Sequence, residues 1–268
     1  MRLKFLGSGS ALVTSKENFH SNILIEGDSG KKMLYDCGTT INDALDTAGV
    51  DVMTIDEVFI SHLHGDHSAG LEFVGFKTFF STFPFGEKKV NIRTTKEMLS
   101  DVWDRQLSAS MEAIDCVDVA TFDTFFTSTE LDKIIIDKDY GYKPYSFDNI
   151  NISIIETEHS SKLKSFGIHL HTDNIDIFIS GDTKFTPKRF YREFLYSDII
   201  FHDCDFAEYP GGVHAQFHEL KTLPSKIKEK MYLYHYMLNG KTFEELEKEV
   251  WEAGFKGLVQ RGFELTFK

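Results

Sequence analysis

The stretch Ser61-His62-Leu63-His64-Gly65-Asp66-His67 decides the fold. It leaves a short apolar run, residues 58–61, that reads as a buried strand. In extended chain, residues i and i+2 point the same way, so His62 and His64 can grip one ion together. Gly65 permits a sharp turn, after which Asp66 and His67 can face a second centre. Imidazole and carboxylate suit zinc and similar divalent ions. The bland alternative is a polar turn with ordinary hydrogen-bonded histidines. Three His and one Asp between positions 62 and 67 argue against it.

One loop cannot complete two coordination spheres, so further His and Asp residues are sought at strand ends. His159 lies in the polar loop Glu156-Thr157-Glu158-His159-Ser160-Ser161, after a strand-like run. Asp182 follows another, in Ser180-Gly181-Asp182-Thr183, and His235 ends the apolar run Met231-Tyr232-Leu233-Tyr234. Each alone reads as a surface or capping residue. With the four loop residues they reach seven ligands, enough for two metal ions with one shared carboxylate.

Outward from the loop, the pattern is strand-rich. Residues 2–6 end at Gly7-Ser8-Gly9, and residues 22–26 and 32–36 flank Gly27-Asp28-Ser29-Gly30, a hairpin signal. Residues 39–48 show helical periodicity, with Thr40 or Asn42 as cap and Gly49 as stop. Residues 90–93 predict a strand and 94–106 a helix, whereas 121–147 read as an insertion of weak secondary structure. Residues 151–156, 165–171 and 175–180 predict consecutive antiparallel strands. Strands at 199–202, 231–234 and 263–267 then alternate with helices near 215–230 and 242–253. With no internal repeat and no Pro- or Ser-rich linker, residues 1–268 read as one α/β domain, two sheets flanked by helices.

Composition narrows the function. The chain has 268 residues, and its 25 Phe and 10 Tyr against 5 Pro exclude a low-complexity or disordered class. No apolar run reaches the ~18 residues of a membrane span. Gly and Ser interrupt the N-terminal MRLKFLGSGSALV before a signal-peptide core forms. The net charge of −13 (29 basic against 42 acidic residues) disfavours a nucleic-acid polymer as partner. Three scattered cysteines, Cys37, Cys116 and Cys204, without a CxxC, point to a reducing cytoplasm.

The order HxHxDH, a lone His, an Asp after Gly, and a late His in a tyrosine-flanked strand resembles the metallo-β-lactamase fold superfamily. The opening Phe5-Leu6-Gly7-Ser8-Gly9-Ser10 and the strand end Tyr35-Asp36-Cys37-Gly38 fit it too, so the resemblance runs from residue 1 to about residue 240. It implies an αββα two-sheet sandwich with a binuclear centre. His62, His64 and His159 would hold one ion, Asp66, His67 and His235 the other, and Asp182 would bridge them. The expected cofactors are two divalent ions per subunit, zinc first and manganese second. Asp66 counts among the catalytic residues as well. Asp36 matches an aspartate that the family places behind the metal loop to orient ligands; on its own it also reads as a turn residue closing a strand.

The fold hosts many chemistries, so function must come from the site. His202-Asp203-Cys204-Asp205 and Gly211-Gly212-Val213-His214-Ala215 resemble segments of the tRNA 3′-processing endonucleases (RNase Z), where an acidic residue and a histidine protonate the leaving oxygen. Carried over, His214 is the general acid and Asp203 its carboxylate partner. A departing alkoxide does need a donor whose pKa lies near neutrality. His214 also reads as a cap of the helix at 215–230. His218 receives no role, because Ala215 stands where a HEXXH pattern needs Glu.

RNase Z carries a long Gly/Pro-rich arm and a basic surface, and this sequence has neither. Glyoxalase-type thioesterases need basic residues near the C-terminus, for which Lys241 and Arg261 are weak candidates. The stretch from Asp203 through His214 to Tyr236 is more similar to the cyclic nucleotide phosphodiesterases of this fold, the phage anti-Pycsar type and its bacterial relatives. That resemblance implies hydrolysis of 3′,5′-cyclic nucleotides to nucleoside monophosphates by a homodimer. It would act in a host cytoplasm, against cyclic-nucleotide immune signalling and without a membrane partner. Three rival readings stand beside it: an RNase Z-like endonuclease, a lactonase or other ester hydrolase, and a nucleotide-sequestering protein. Residues 71–85 hold six Phe, read as core packing or a dimer contact before base stacking. His169 and His171 alternate on one strand face with no accompanying Asp and read as structural. His20, in the loop after Gly9, reads as a substrate contact.

Overall fold

In the computed structural model, which describes residues 1–136, 139–207 and 212–267, alternating sequence becomes two seven-stranded sheets. Strand β1 (Arg2–Phe5) shows the rule: Leu3 and Phe5 are fully buried, while Arg2 and Lys4 face outward. β2 (Ile23–Glu26) and β3 (Lys32–Tyr35) form the expected hairpin, with Ile23 opposite Tyr35. β4 (Glu57–Phe59), β5 (Val90–Thr94) and β6 (Phe126–Glu130) add in parallel. β7 (Lys133–Ile136) and β8 (Asp139–Tyr142) make a separate small ribbon. β9 (Tyr145–Phe147), β10 (Ile150–Thr157), β11 (Ser165–His171) and β12 (Asp176–Ile179) run antiparallel to one another. β13 (Ile199–Asp203), β14 (Met231–Tyr234) and β15 (Gly257–Leu258) then continue in parallel, and β16 (Glu264–Thr266) returns to β1. The orders are β16-β1-β2-β3-β4-β5-β6 and β15-β14-β13-β12-β11-β10-β9.

Three apolar layers hold these sheets and their helices. Between the sheets, Leu3, Phe5, Ile23 and Phe59 share one cluster with Phe166, Ile168, Ile179 and Phe201, and the Phe5 and Phe201 rings lie 4.7 Å apart. On the outer face of the first sheet, Leu34, Val58 and Ile92 pack with helices Ile41–Ala48 and Leu71–Phe80. On the outer face of the second, Phe178, Ile200 and Leu233 pack with helices Tyr191–Tyr196 and Phe243–Glu252. Full burial of each such side chain contributes about 1.5–3 kcal/mol. The architecture is the expected αββα sandwich. Among the described residues no helix is long and apolar enough to cross a membrane.

Several elements differ from expectation for identifiable reasons. The helix expected at 94–106 starts at Lys96, where the Thr95 side chain accepts from the Met98 amide, and widens into a π-helix over Val102–Leu107. The helix expected at 215–230 is two short ones, Phe217–Leu220 and Ser225–Lys228, because Pro224 has no amide hydrogen to continue the first. Within residues 121–147, expected to be weakly structured, β6 and β9 are edge strands of the two sheets. The mixed burial of β6 hid it, and positions 137 and 138 lie outside the described residues. The Phe-rich segment divides: Phe73, Phe76 and Phe79 join the helix-side core, whereas Phe80, Phe83 and Phe85 are 46, 88 and 48 % exposed.

The ends of β3, β4, β10, β12, β13 and β14 meet at one edge and carry Asp36, the loop after Ile60, His159, Asp182, Asp203 and His235. Backbone contacts fix that edge: the Cys37 amide donates to the His67 carbonyl at 2.7 Å, and the Gly70 amide to the Cys37 carbonyl at 2.8 Å. A Cβ on Gly38 would stand 2.0 Å from the Asp66 carbonyl oxygen, so the loop after β3 can approach only as glycine. Gly38→Ala is therefore expected to destabilise the chain by about 1–3 kcal/mol in urea denaturation, because backbone must move. A loss within experimental error would contradict this contact.

Candidate metal centre

Two donor clusters form at the shared edge. His62 Nε2 lies 3.0 Å from His64 Nδ1, which lies 3.1 Å from His159 Nε2. Beside them, Asp66 Oδ2 is 3.1 Å from His67 Nε2 and 3.3 Å from His235 Nε2. Asp182 touches both groups. Its Oδ2 stands 3.3 Å from His67 Nε2 and 3.8 Å from both His62 Nε2 and His159 Nε2, while Oδ1 is 3.4 Å from His235 Nε2. The seven residues proposed as ligands are thus brought together: His62, His64 and His159 form one group, Asp66, His67, Asp182 and His235 a second, and Asp182 and His235 form a third with Asp203 and His214.

Surrounding groups orient these rings. Asp36, fully buried with φ 68°, accepts from the Ser61 amide at 2.7 Å and the Ser61 hydroxyl at 2.8 Å, and lies 2.7 Å from His67 Nδ1. The Val213 carbonyl accepts from His159 Nδ1 at 2.9 Å. With their outer nitrogens engaged, His67 and His159 turn Nε2 inward. The family resemblance pointed to Asp36; the Val213 carbonyl left no sequence signal, because any residue carries one.

Burial, reinforced by His67, drives the His62 ring well below its ordinary pKa, and burial also lowers His64 and His159. These three rings are neutral at pH 7 and offer lone pairs. Around the carboxylates the sign reverses. Burial opposes the charged form of His67, but Asp182, Asp36 and Asp66 prevail and hold it well above its ordinary value. His235 is raised to about 10 against its own burial, chiefly by Asp182 and Asp203. Burial opposes ionisation of Asp66 and Asp182 too, yet the neighbouring His67 and His235 charges hold both below the carboxylate range. The carboxylates therefore need compensating positive charge, which ring protons or a divalent ion can supply.

The donor set fits such ions. Bonds of about 2.0–2.1 Å to a tetrahedral ion place ligand nitrogens roughly 3.3 Å apart, near the spacings seen here. His67 Nε2 and Asp182 Oδ1 are buried and make no hydrogen bond among the described residues. Beside this centre, His214 Nδ1 lies 2.8 Å from Asp203 Oδ2 and 3.9 Å from Asp182 Oδ2. Burial opposes its protonation, but Asp203 first and Asp182 next raise its pKa. His214 does not cap the following helix, whose N-cap is Gln216. Asp203 does more than the sequence suggested, since its Oδ1 also stands 3.3 Å from His235 Nδ1 and its Oδ2 accepts from the Thr183 amide at 2.9 Å. Gly211 of the motif before His214 lies outside the described residues. His218 is exposed and lines a 400 Å³ cavity with Lys184, Phe185 and His214. His20 is buried and feels the Asp66 carboxylate, the strongest influence on it after burial.

Solved structures share this architecture. The metallo-beta-lactamase fold protein YhfI from Bacillus subtilis superposes with a TM-score of 0.72 at 16% identity, covering 98% of both chains. A diphosphatase of the PhnP family gives 0.74 at 17% identity, covering 100% of this chain and 98% of its own. Human tRNase Z, short form, gives 0.70 at 16% identity over 99% of both. At these identities the likeness concerns the fold. Curated relatives described as "Anti-Pycsar protein Apyc1" are nearer in sequence. The protein from Saccharibacillus brassicae is 31% identical over 247 residues, 91% of this chain and 93% of its own. That from Bacillus phage BSP38 is 28% identical over 244 residues, 90% and 91% of the two chains. A family model described as "Anti-Pycsar protein Apyc1" matches residues 1–264, and the chain belongs to that family.

Proposed function

We propose that the chain is a metal-dependent phosphodiesterase that hydrolyses 3′,5′-cyclic nucleotides to nucleoside monophosphates and so counters cyclic-nucleotide immune signalling. The observation that carries this reading is the His214–Asp203 pair, 2.8 Å apart, set against the Asp182 carboxylate, which lies 3.3 Å from His67 and 3.8 Å from His62 and His159. Family membership supports it, as does the phage origin of several relatives, which suits action in a host cytoplasm. The same reading includes a homodimer, for which the exposed Phe80, Phe83 and Phe85 offer apolar surface.

His62, His64 and His159 would hold one divalent ion, Asp66, His67 and His235 a second, with Asp182 between them. Two such ions supply Lewis acidity toward a phosphoryl oxygen and activate water at neutral pH. The protein's own groups do the rest. His214, with Nδ1–H held by Asp203, presents Nε2 to the departing ribose oxygen and gives it a proton. Asp203 positions that ring and the His235 ring together. Asp66 stays ionised and orients the attacking water by accepting one of its hydrogen bonds.

Incubation of zinc- or manganese-loaded protein with cyclic mononucleotides is expected to yield linear nucleoside monophosphates on chromatography. His214→Ala is expected to lower kcat by ~10²–10⁴-fold while both ions stay bound. Cleavage of pre-tRNA alone would sink the reading, and binding without turnover would favour sequestration.

Asp182→Asn removes the charge shared by both clusters and is expected to bring elemental analysis to about one ion per chain or fewer, against two for the parent. Retention of both ions would contradict the bridging role.

Raising salt from about 50 to 200 mM is expected to change kcat/KM by less than roughly threefold, whereas a polymer held through many phosphates would lose orders of magnitude.

A further inference from the structure

A second histidine–carboxylate group lies at the far end of the second sheet. His169 and His171 share one face of β11, and the antiparallel register places Asp176 of β12 directly opposite His171. The three each offer a donor atom, all within 4.8 Å of one another. They sit at the ends of β10–β12 opposite those that carry His159 and Asp182, since Asn151 at the start of β10 pairs with His171.

The hydrogen bonds around His169 determine which of its nitrogens is free. Ser197 Oγ has one proton, and its contact with the Glu193 carbonyl at 2.6 Å takes it. Toward His169 Nε2, 3.1 Å away, the Ser197 oxygen can therefore only accept. The ring proton is thus on Nε2, leaving the Nδ1 lone pair with no hydrogen-bond partner among the described residues. Burial first and His171 second hold His169 down to about 4, so at neutral pH the ring is unprotonated at that atom. His171 Nδ1 lies 2.5 Å from Asp176 Oδ1, with both side chains more than a third exposed, at 36 and 40 %. An ion can replace the proton shared by that pair, because the exposed carboxylate is able to swing outward.

We propose that His169, His171 and Asp176 form a separate binding site for one borderline transition-metal ion, zinc above all, with two imidazole nitrogens and one carboxylate oxygen as ligands. Two nitrogens and one oxygen select this class over calcium or magnesium, which prefer all-oxygen shells. The bound ion would tie β11 to β12 beside the end of helix Tyr191–Tyr196, with Ser197 fixing the orientation of the His169 ring.

The full chain, first saturated with zinc at the catalytic centre, is titrated with further Zn²⁺ while histidine ring resonances are followed by NMR. One additional saturable equivalent is expected, shifting the His169 and His171 signals together. His171→Ala and Asp176→Asn, both altering half-exposed side chains, should each weaken that step by at least roughly tenfold. The resonances of the catalytic centre should keep their zinc-loaded positions in both variants. No coupled shift up to millimolar zinc, or a shift unchanged in both variants, would overturn the proposal.

Discussion

One buried carboxylate sets the terms for the rest of the structure. Asp182, 2% exposed, is within 4 Å of ring nitrogens from His62, His67, His159, His214 and His235. Removing an ionised carboxylate from water costs several kcal/mol unless donors or cations surround it. Five imidazoles from three separate stretches of the fold and the loop bearing His214 meet that requirement only if the two sheets are stacked in this register. The sandwich and the site are therefore one solution: the inter-sheet layer supplies the free energy, and the shared strand edge spends it on keeping polar groups buried together.

The geometry at that edge carries local strain. Asp36 and His235 both adopt left-handed backbone conformations, φ 68° and 61°, which non-glycine residues rarely do. Among the described residues the two other non-glycine residues with positive φ, Asp148 and Asn239, are, like Asp36, of the types that tolerate this conformation best. At Asp36 the turn aims a carboxylate behind the His67 ring while the Ser61 amide and hydroxyl hold its oxygens. At His235 it directs the ring between Asp66, Asp182 and Asp203 as the chain leaves β14. Strain of this kind persists where surrounding contacts over-determine the conformation. Asp203, which contacts both His214 and His235, links His214 to the same constraint.

Much of this was legible in the sequence because the informative signals are short in range. The i, i+2 spacing of His62 and His64, the alternation of β1 and β10, and Gly49 as a left-handed stop after helix Ile41–Ala48 all act within a few residues. What escaped depends on long-range pairing. β6 is a half-exposed edge strand whose polar Thr-Ser-Thr stretch has no clear period, and only its parallel partner β5 makes it a strand. Asp176 lies five positions from His171, yet the hairpin between β11 and β12 makes it the ring's direct neighbour; reading β11 alone left those histidines without a carboxylate. Pro224 stands in the sequence as a signal that a helix over 215–230 must break, and the two short helices on either side of it follow that signal.

Charge illustrates the same distinction between whole and part. A net charge of −13 describes the entire surface, and a long polyanion would have to lie across that surface. A small anion meets only the local field. The 430 Å³ cavity beside His159 is lined by Lys162, Lys164 and Lys184 as well as Glu156 and Glu158, so three basic groups gather against two acidic ones in an otherwise acidic chain. Clefts with low-dielectric walls focus such a field inward, while the acidic surroundings repel longer competitors. Overall acidity and an anionic substrate are therefore compatible, provided the substrate is short enough to be governed by the cavity and not by the surface around it.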